Sequence, residues 1–347
     1  DYHPSTYLAR EILSKWEDSL KLFRAMNRIR FYHDEYPIFF DLSIVKNSKK
    51  MNKITVPKYT IQEADVFNSV EQYEIEIEVD NKRVGINSEY TTVAKLANVI
   101  RKCIRIALSG LQGTMYPISY SECNNVLIEY MQLLHGADNN TRRIQTKDFI
   151  GPSSYTLQME NIIDNAENNN TSPNIRKNYT VTDKADGERK MLYISETGKV
   201  YLIDTNMNVL FTGMKTQQKD YFYSLLDGEH IKYDKNGKIL NMYAAFDIYY
   251  KNKKSLRDLE FIKTNDSEKE ELEEESNRRN EKQYRLNLLY EFTRDLKCIS
   301  IVEKTSGEVN RNTNTKNLPM LIKCKEFYQD NDEMTIFDGC SKILSNE

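Results

Sequence analysis

The sequence has little cysteine, no long apolar run and no excess of positive charge, and each absence excludes a class of protein. The five cysteines have neither the spacing of zinc ligands nor the clustering of a disulfide framework. They are Cys103, Cys123, Cys298, Cys324 and Cys340. We therefore expect reduced thiols, as in intracellular proteins.

The chain also lacks any run of about 18 apolar residues and any opening signal-peptide pattern, so the sequence predicts no membrane span. Its net charge of -3 excludes a basic footprint over the whole surface. Any contact with nucleic acid must therefore come from local patches. With 347 residues, 39% of them hydrophobic, the chain is long enough for about two domains.

Alternating polar and apolar residues predict an antiparallel sheet in the first third of the chain. The strand-like runs are 27–32, 38–46, 58–64 and 73–80. Apolar residues at helical spacing predict a helix before this sheet and two helices after it. These helices cover 1–23, 91–109 and 121–134.

A second strand-rich region follows, and we place the domain boundary between residues 145 and 146. The Asn-rich stretch 165–174 is typical of a loop or linker. The predicted strands are 178–183, 189–195, 199–204, 208–213, 226–233 and 239–250, and the predicted helices are 216–225 and 285–296. The charge run 266–284 predicts a solvated helix or mobile insertion with no chemistry of its own.

One predicted strand, EQYEIEIEVD, carries three carboxylates on one face. Glu74, Glu76 and Glu78 alternate with apolar residues, and same-face neighbours in a strand lie roughly 6.6 Å apart. Carboxylates this close repel one another unless water or cations screen them. The pattern therefore indicates either an amphipathic strand with its acids in water, or a barrel interior where the acids bind a hard divalent cation.

Two other strands of the same predicted sheet also carry polar residues on one face. Arg28 and Arg30 share a face of the first strand, and Asp41 shares a face of the second with Ser43 and Val45. A barrel lined by both acids and arginines would bind a metal ion and a polyphosphate together.

These strands resemble the tunnel walls of the triphosphate tunnel metalloenzymes, in particular the viral and fungal-type RNA triphosphatases. The resemblance implies that Glu74, Glu76 and Glu78 bind metal and that Arg28 and Arg30 bind triphosphate. That family has a further glutamate-rich strand, which we do not find before Arg28 and expect upstream. We therefore expect this chain by itself to lack triphosphatase activity.

The stretch TVTDKADGERKMLYI places Lys184, Asp186, Gly187 and Arg189 together at the end of a strand-like run. A lysine attacks as a nucleophile only after losing its proton, which desolvation or a neighbouring cation such as a metal ion or Arg189 can promote. Gly187 permits a tight turn or close approach of the backbone to a ligand. The alternative is an ordinary hairpin with a charged tip, because K-x-D-G occurs often by chance.

Two later elements favour a nucleophilic lysine. The run LLDGEHI places Asp227, Gly228 and Glu229 at the end of an apolar stretch. The aromatic strand MYAAFDIYY contains Asp247, and an acid inside an apolar strand is costly unless it is paired or functional.

The order K-x-D-G-x-R, then D-G-E, then F-D resembles the covalent nucleotidyltransferases, the superfamily of mRNA capping guanylyltransferases and polynucleotide ligases. The resemblance implies that Lys184 forms a lysyl–nucleotide phosphoramidate and that Phe246 stacks on the base. It implies that Arg189 and Glu229 contact the ribose, with Glu229 also near the metal. The remaining residues that it assigns to GTP binding are Asp186 and Asp247.

The sequence departs from this family's pattern in several places. Thr205 stands where members often carry arginine after the dipeptide ID, and neither a DGLIF-like strand nor the OB-fold motif is found. We expect both beyond residue 347. The K-x-K formed by Lys323 and Lys325 arrives before any such strand, so we interpret LIKCKEF as an ordinary strand. The dipeptide Asp338–Gly339 is followed by no apolar run.

The glutamate strand favours capping over ligation, because a ligase has no use for a triphosphate tunnel. Segments 149–162 and 178–194 also resemble capping enzymes of large cytoplasmic DNA viruses of the poxvirus and asfarvirus group. That resemblance implies an α+β fold. A partial antiparallel β tunnel or barrel would occupy 1–145. A covalent nucleotidyltransferase domain of antiparallel sheets with flanking helices would occupy 146–347, with the OB-fold absent from this chain.

The implied activity is mRNA 5′ capping, preceded by an RNA 5′-triphosphatase module. GMP would pass from GTP through lysyl-GMP to diphosphate-ended RNA, with Mg²⁺ or Mn²⁺ as cofactor. The implied partners are the RNA 5′ end and a methyltransferase domain or subunit, with no membrane, in a cytoplasmic viral factory or virion. The alternatives are an ATP-dependent polynucleotide ligase or RNA-repair enzyme, and a non-catalytic scaffold that retains the fold.

Overall fold

The computed structural model describes residues 3–51, 54–136, 143–163, 173–263, 283–301, 318–330 and 334–346. The chain divides into two compact units, Asp1–Leu111 and Gln112–Glu347. This division falls ahead of the predicted boundary at residue 145, because the helix Tyr120–His135 packs into the core of the second unit. Within the described residues, no helix is long and apolar enough to cross a bilayer.

The described part of the first unit contains a three-stranded sheet, a two-stranded sheet and two helices. The helices are α1 (Tyr7–Ser14) and α2 (Val93–Gln112), which ends one residue past the division. The strands are β1 (Arg24–Tyr32), β2 (Ile38–Asn47), β3 (Lys50–Met51), β4 (Ile54–Thr55) and β5 (Gln72–Val79). In the three-stranded sheet, β2 pairs antiparallel with β1 on one side and with β5 on the other, and β3 pairs with β4 in the two-stranded sheet.

Three of the four strands predicted in this unit are confirmed, and the fourth is wrong. Residues 58–64 form turns instead, with a single bridge between Lys58 and Lys21. The cause is local. The hydroxyl of Thr60 accepts from the Glu63 N–H, and its carbonyl accepts from the Ala64 N–H, which closes a turn.

The second unit is built around one large sheet. Its longer helices are α3 (Tyr120–His135), α4 (Arg285–Asp295) and α5 (Ile336–Asn346). Its first strands are β6 (Thr180–Val181), β7 (Glu188–Ile194), β8 (Lys199–Asp204), β9 (Val209–Thr216) and β10 (Ser224–Tyr233). The others are β11 (Ile239–Lys251), β12 (Lys254–Ser255), β13 (Cys298–Ser300), β14 (Leu321–Cys324) and β15 (Tyr328–Gln329).

The strands of the large sheet run in the order β12-β11-β10-β7-β8-β9-β13, and their neighbours pair antiparallel. The strand β14 adds to β11 in parallel, and β6 pairs with β15 in a separate two-stranded sheet. Because side chains alternate across a strand, each face of the large sheet forms its own core. Met191, Tyr193 and Leu225 pack with α3 on one face, and Leu192 and Leu226 pack with α4 on the other.

The helix predicted over 216–225 is wrong, because those residues form a short 3-10 turn, Lys219–Tyr221, followed by the start of β10. The Thr216 hydroxyl accepts from the Gln218 N–H and starts the turn, and Tyr221 then buries its ring against Phe292 of α4. The charge run 266–284 lies almost wholly outside the described residues.

Gly228, at the centre of the large sheet, leaves room for the side chain of Tyr243 to pack against the backbone of β10. The fully buried Tyr243 of β11 donates toward the carbonyls of Lys190 (2.9 Å) and Leu226 (3.1 Å). A Cβ on Gly228 would lie 2.6 Å from the ring of Tyr243 and 2.6 Å from the Ala244 carbonyl oxygen. The glycine of the D-G-E motif is therefore required by packing, and the acids on either side of it are directed to the opposite face.

Candidate functional site

A buried ion pair lies at the centre of the candidate site, on the face of the large sheet that packs with α3. The Arg189 guanidinium donates to both oxygens of Asp227, from Nε at 3.1 Å and from Nη2 at 2.6 Å. The Tyr249 hydroxyl donates to the same carboxylate at 2.7 Å. Asp227 is completely buried, so these three donors replace the water that it loses on folding.

The contacts and the burial of this pair shift the pKa values of both side chains. Asp227 raises the pKa of the Arg189 guanidinium, which therefore stays charged. Burial raises the pKa of the Asp227 carboxyl above its ordinary value, although Arg189 and Tyr249 act in the opposite direction. The guanidinium is thus fixed in place while part of it remains exposed, at 31% of its side chain.

Glu229 lies two residues after Asp227 on β10 and points to the same face of the sheet. We call Glu229 and the residues that line up with it across the neighbouring strands the row of Glu229. Glu229 is paired across β7 with Arg189 and across β11 with Ala244, so the three side chains share one face. Its Oε2 atom is buried and has no hydrogen-bond partner among the residues that the structure describes. A buried carboxylate oxygen is costly without a partner, and oxygen is the ligand that Mg²⁺ and Mn²⁺ prefer. Glu229 therefore fits a divalent cation or a ligand hydroxyl.

Lys184 lies in the segment 183–187. Contacts at both ends of this segment hold its backbone close to the row of Glu229. On one side, the buried Lys325 ammonium donates to the Asp183 carbonyl. On the other, a Cβ on Gly187 would lie 3.2 Å from Glu229 Cβ and 3.1 Å from the His230 carbonyl. Lys184 itself is exposed and makes no hydrogen bond or ion pair within the described part of the chain. The amine is therefore open to a ligand while its backbone is held.

The other predicted nucleotide-binding residues lie in different surroundings. Phe246 is half-buried, and its ring lies 5.8 Å from the Arg189 guanidinium carbon. Asp247 accepts from Arg285 at 2.9 Å (Nε) and 3.1 Å (Nη2), which explains how an acid is tolerated inside an apolar strand. Asp186 is exposed in the same segment as Lys184.

Two lysines of the run LIKCKEF, which the sequence predicts to be an ordinary strand, lie next to this candidate site. Ala244 pairs with Glu229 on one side and with Lys323 of β14 on the other, so Lys323 continues the row of Glu229. Lys325 holds the Asp183 carbonyl, as described above. The K-x-K spacing was the available signal. It could not be used because the parallel pairing of β14 with β11 is not visible in the sequence.

The dipeptide Asp338–Gly339 has a structural role. Thr335 and Asp338 cap α5 reciprocally, because the Asp338 carboxylate accepts from the Thr335 N–H at 2.9 Å and the Thr335 hydroxyl accepts from the Asp338 N–H at 3.2 Å. A Cβ on Gly339 would lie 2.7 Å from Val181 and 2.9 Å from Tyr328, so the glycine lets α5 pack on the small sheet.

In the first unit, the predicted acids and arginines share one face of the sheet. Arg24 pairs with Glu74, Arg28 with Glu76 and Arg30 with Glu78 (2.7 Å). We call this polar face the inner face, because it is the more buried of the two faces of the described sheet. It contains the fully buried Asp41, whereas on the opposite face Ile29 is 58% exposed and Phe31 49% exposed.

Asp41 lies at the centre of this polar face. It accepts from both Arg28, at 3.1 Å, and Arg30, and Arg30 lowers the pKa of the carboxyl. Oxygens of Asp41, Glu76 and Glu78 lie within 4.8 Å of one another, close enough to bind one metal ion. Glu74 is not in this group, and Asp41 takes its place among the candidate ligands.

Comparison with known proteins bears on the second unit. Residues 166–309, which include Lys184, Arg189, Glu229, Phe246 and Asp247, match the family described as mRNA capping enzyme, catalytic domain. This segment is therefore similar to the catalytic domain of capping enzymes, and we refer to residues 166–309 as the capping-enzyme segment. The chain is also 33% identical over 178 residues to a probable mRNA-capping enzyme of Acanthamoeba polyphaga mimivirus.

That alignment covers 51% of this chain and 12% of the mimivirus protein, so the chain spans a small part of its relative. Capping enzymes in general act on RNA and GTP with a divalent metal ion. The mixed α+β fold with antiparallel sheets agrees with a nucleotidyltransferase domain.

The ion pair in the capping-enzyme segment predicts a difference between two adjacent tyrosines. Tyr249→Phe removes one of the three donors to the buried Asp227, so we expect the free energy of unfolding to fall by about 1.5–3 kcal/mol. Tyr250→Phe is the matched control, because its hydroxyl makes no hydrogen bond to a described residue, and its effect should be much smaller. Urea denaturation of both variants measures this. Equal losses would show that the Tyr249 hydrogen bond contributes nothing specific.

Proposed function

We propose that the second unit is an mRNA guanylyltransferase that forms a covalent lysyl-GMP intermediate at Lys184. The observation that carries the proposal is the buried Glu229 oxygen, which has no hydrogen-bond partner in the described part of the chain. Glu229 lies next to Gly187, in the same segment as the exposed Lys184. A carboxylate in this state is explained by a ligand that supplies a cation or a hydroxyl. The family of the segment supplies the class of ligand, a guanine nucleotide.

The reaction has two balanced steps. In the first, the Lys184 nitrogen lone pair attacks the α-phosphorus of GTP, a P–N bond forms, the bond to pyrophosphate breaks, and the amine loses its proton. In the second, a terminal oxygen of diphosphate-ended RNA attacks the same phosphorus, the P–N bond breaks, and the amine returns. Such transfers depend on positioning and charge more than on acid–base groups of the protein.

The other residues of the row position the nucleotide. Arg189, already held by Asp227, offers its remaining N–H groups to ribose or phosphate oxygens. Lys323 adds an exposed positive charge in the row of Glu229. Phe246 offers a half-buried ring for the base. When bound, a divalent cation would neutralise phosphate charge, and Glu229 would hold it.

Two other functions are weaker candidates for this unit. An ATP-dependent ligase or RNA-repair enzyme would use the same lysine, but the family match and the mimivirus relative both favour capping. A non-catalytic scaffold gives no explanation for the buried Glu229 oxygen, which has no hydrogen-bond partner among the described residues.

For the first unit, we propose an RNA 5′-triphosphatase function that needs further strands. The supporting observation is the inner face, where four carboxylates meet three guanidinium groups and leave one negative charge in excess. Asp41, Glu76 and Glu78 would hold Mg²⁺ or Mn²⁺, and Arg28 and Arg30 would turn to the triphosphate. A methyltransferase partner and a cytoplasmic viral factory or virion complete the proposal.

The guanylyltransferase proposal predicts covalent labelling. Incubation with α-labelled GTP and Mg²⁺ or Mn²⁺ should transfer label to the protein, and Lys184→Ala should abolish the transfer. Lys235→Ala is the control, because Lys235 is an exposed lysine in the turn between β10 and β11 and lies in no proposed site. Efficient labelling by α-labelled ATP instead of GTP would favour the ligase, and no label from either nucleotide would contradict the proposal.

The triphosphatase proposal predicts metal binding by the first unit. In a Glu229→Gln background, which silences the second unit, Glu76→Gln should weaken Mn²⁺ binding by about tenfold or more, as measured by electron paramagnetic resonance of free Mn²⁺. Glu71→Gln is the control, since Glu71 pairs with Lys46 away from the carboxylate group. Equal Mn²⁺ affinity in the two variants would contradict the proposed metal site and show that the ion pairs of the inner face are structural.

A further inference from the structure

We infer that the loop 149–152 is a positioning element of the active site, which fixes the Arg189 guanidinium in the orientation that the nucleotide requires. The inference rests on the proposed function of that site. The loop precedes the residues 166–309 that match the capping-enzyme family, so the family match does not assign it a role. Its contacts with the site are direct.

The loop completes the set of contacts around the guanidinium. The Pro152 carbonyl accepts from Arg189 Nη1 at 2.8 Å, and the Phe149 ring lies 5.6 Å from the guanidinium carbon. With the two hydrogen bonds to Asp227, three of the five N–H groups of an arginine are used. Two N–H groups therefore remain for a ligand, and their direction is set jointly by Asp227 and by the loop.

Gly151 allows the loop to lie close to Arg189 and Asp227, because glycine has no Cβ. A Cβ at this position would lie 2.3 Å from Arg189 Nη2, 2.9 Å from Asp227 Oδ2 and 3.2 Å from the Tyr249 hydroxyl. Its φ of +127° is in the region that favours glycine. Both the contact and the backbone conformation therefore require glycine directly above the buried ion pair.

The loop is itself held rigidly from the protein side. The Ile150 N–H donates to the Tyr130 hydroxyl at 3.2 Å, and that hydroxyl donates to the Asp148 carbonyl at 2.8 Å. Tyr130 belongs to α3 and is completely buried, and Phe149 and Ile150 pack against the same core. The position of the Pro152 carbonyl is thus set by the packing of α3 and not by solvent.

These contacts predict that the loop positions Arg189 in addition to packing against the core. A guanidinium that contacts the substrate must be held within a fraction of an ångström, because a misplacement of about 1 Å can cost about 100-fold in rate. Displacing the loop would turn the free N–H groups of Arg189 away from the nucleotide while Asp227 still neutralises the charge. The expected effect is therefore on nucleotide affinity and the rate of lysyl-GMP formation more than on folding.

The test is Gly151→Ala compared with Gly136→Ala, in the full chain with α-labelled GTP and Mn²⁺. Gly136 lies in the same unit with a positive φ of +80° and has open space where a Cβ would be, so it controls for backbone strain. We expect Gly151→Ala to reduce the labelling rate at saturating GTP, or to raise the GTP concentration at half-maximal labelling, by about tenfold or more. Gly136→Ala should label like the unchanged protein, and melting temperatures should show that both variants are folded.

A second pair keeps the inference falsifiable if Gly151→Ala does not fold. Phe149→Leu removes the ring beside Arg189, and Phe211→Leu removes a ring of the same core that lies beside Lys199 instead. Only Phe149→Leu should weaken labelling.

If the unchanged protein labels and neither Gly151→Ala nor Phe149→Leu differs from its control, the loop is structural and the inference is wrong, while the proposed function stands. If the unchanged protein does not label, the proposed function fails and the inference fails with it.

Discussion

The buried ion pair between Arg189 and Asp227 is the interaction on which the rest of the site depends. It joins β7 to β10 on the face that packs with α3, and it fixes a guanidinium whose side chain remains 31% exposed. Breaking a buried pair on one side costs about 3–5 kcal/mol, because the other charge is left without a partner. Because the pair joins β7 to β10, it also supports the register that places Glu229, Ala244 and Lys323 side by side.

The sheet register also explains why the D-G-E motif has its form. Asp227 and Glu229 must point to one face, and Gly228 between them must have no side chain, because Tyr243 of β11 passes beneath it to reach the backbone of β7. The motif therefore combines a requirement of chemistry with a requirement of packing. In the same way, the Lys184 segment is held by Lys325 at one end and by contact with Glu229 at the other.

Much of the fold could be predicted from the sequence, because period-two alternation identifies strands. Motif spacing also predicted that the Lys184 segment lies near Glu229, and Gly187 lies close to Glu229 in the structure. The roles of Lys184 and Glu229 stay predictions. What failed depended on contacts between distant residues. The run 58–64 alternates like a strand but is closed into a turn by Thr60. The sequence also did not show that the core contacts of α3 lie in the second unit. In the first unit the sequence indicated which residues share a face, but not that oxygens of Asp41, Glu76 and Glu78 lie within 4.8 Å of one another.

The most direct measurement is to find which amino acid carries the nucleotide. The protein is incubated with GTP and Mn²⁺, digested under conditions that preserve a phosphoramidate, and its peptides are sequenced by mass spectrometry. We predict a GMP adduct on the Lys184 side chain. An adduct on a different lysine, or recovery of every peptide around Lys184 without added mass while the protein is labelled, would contradict it.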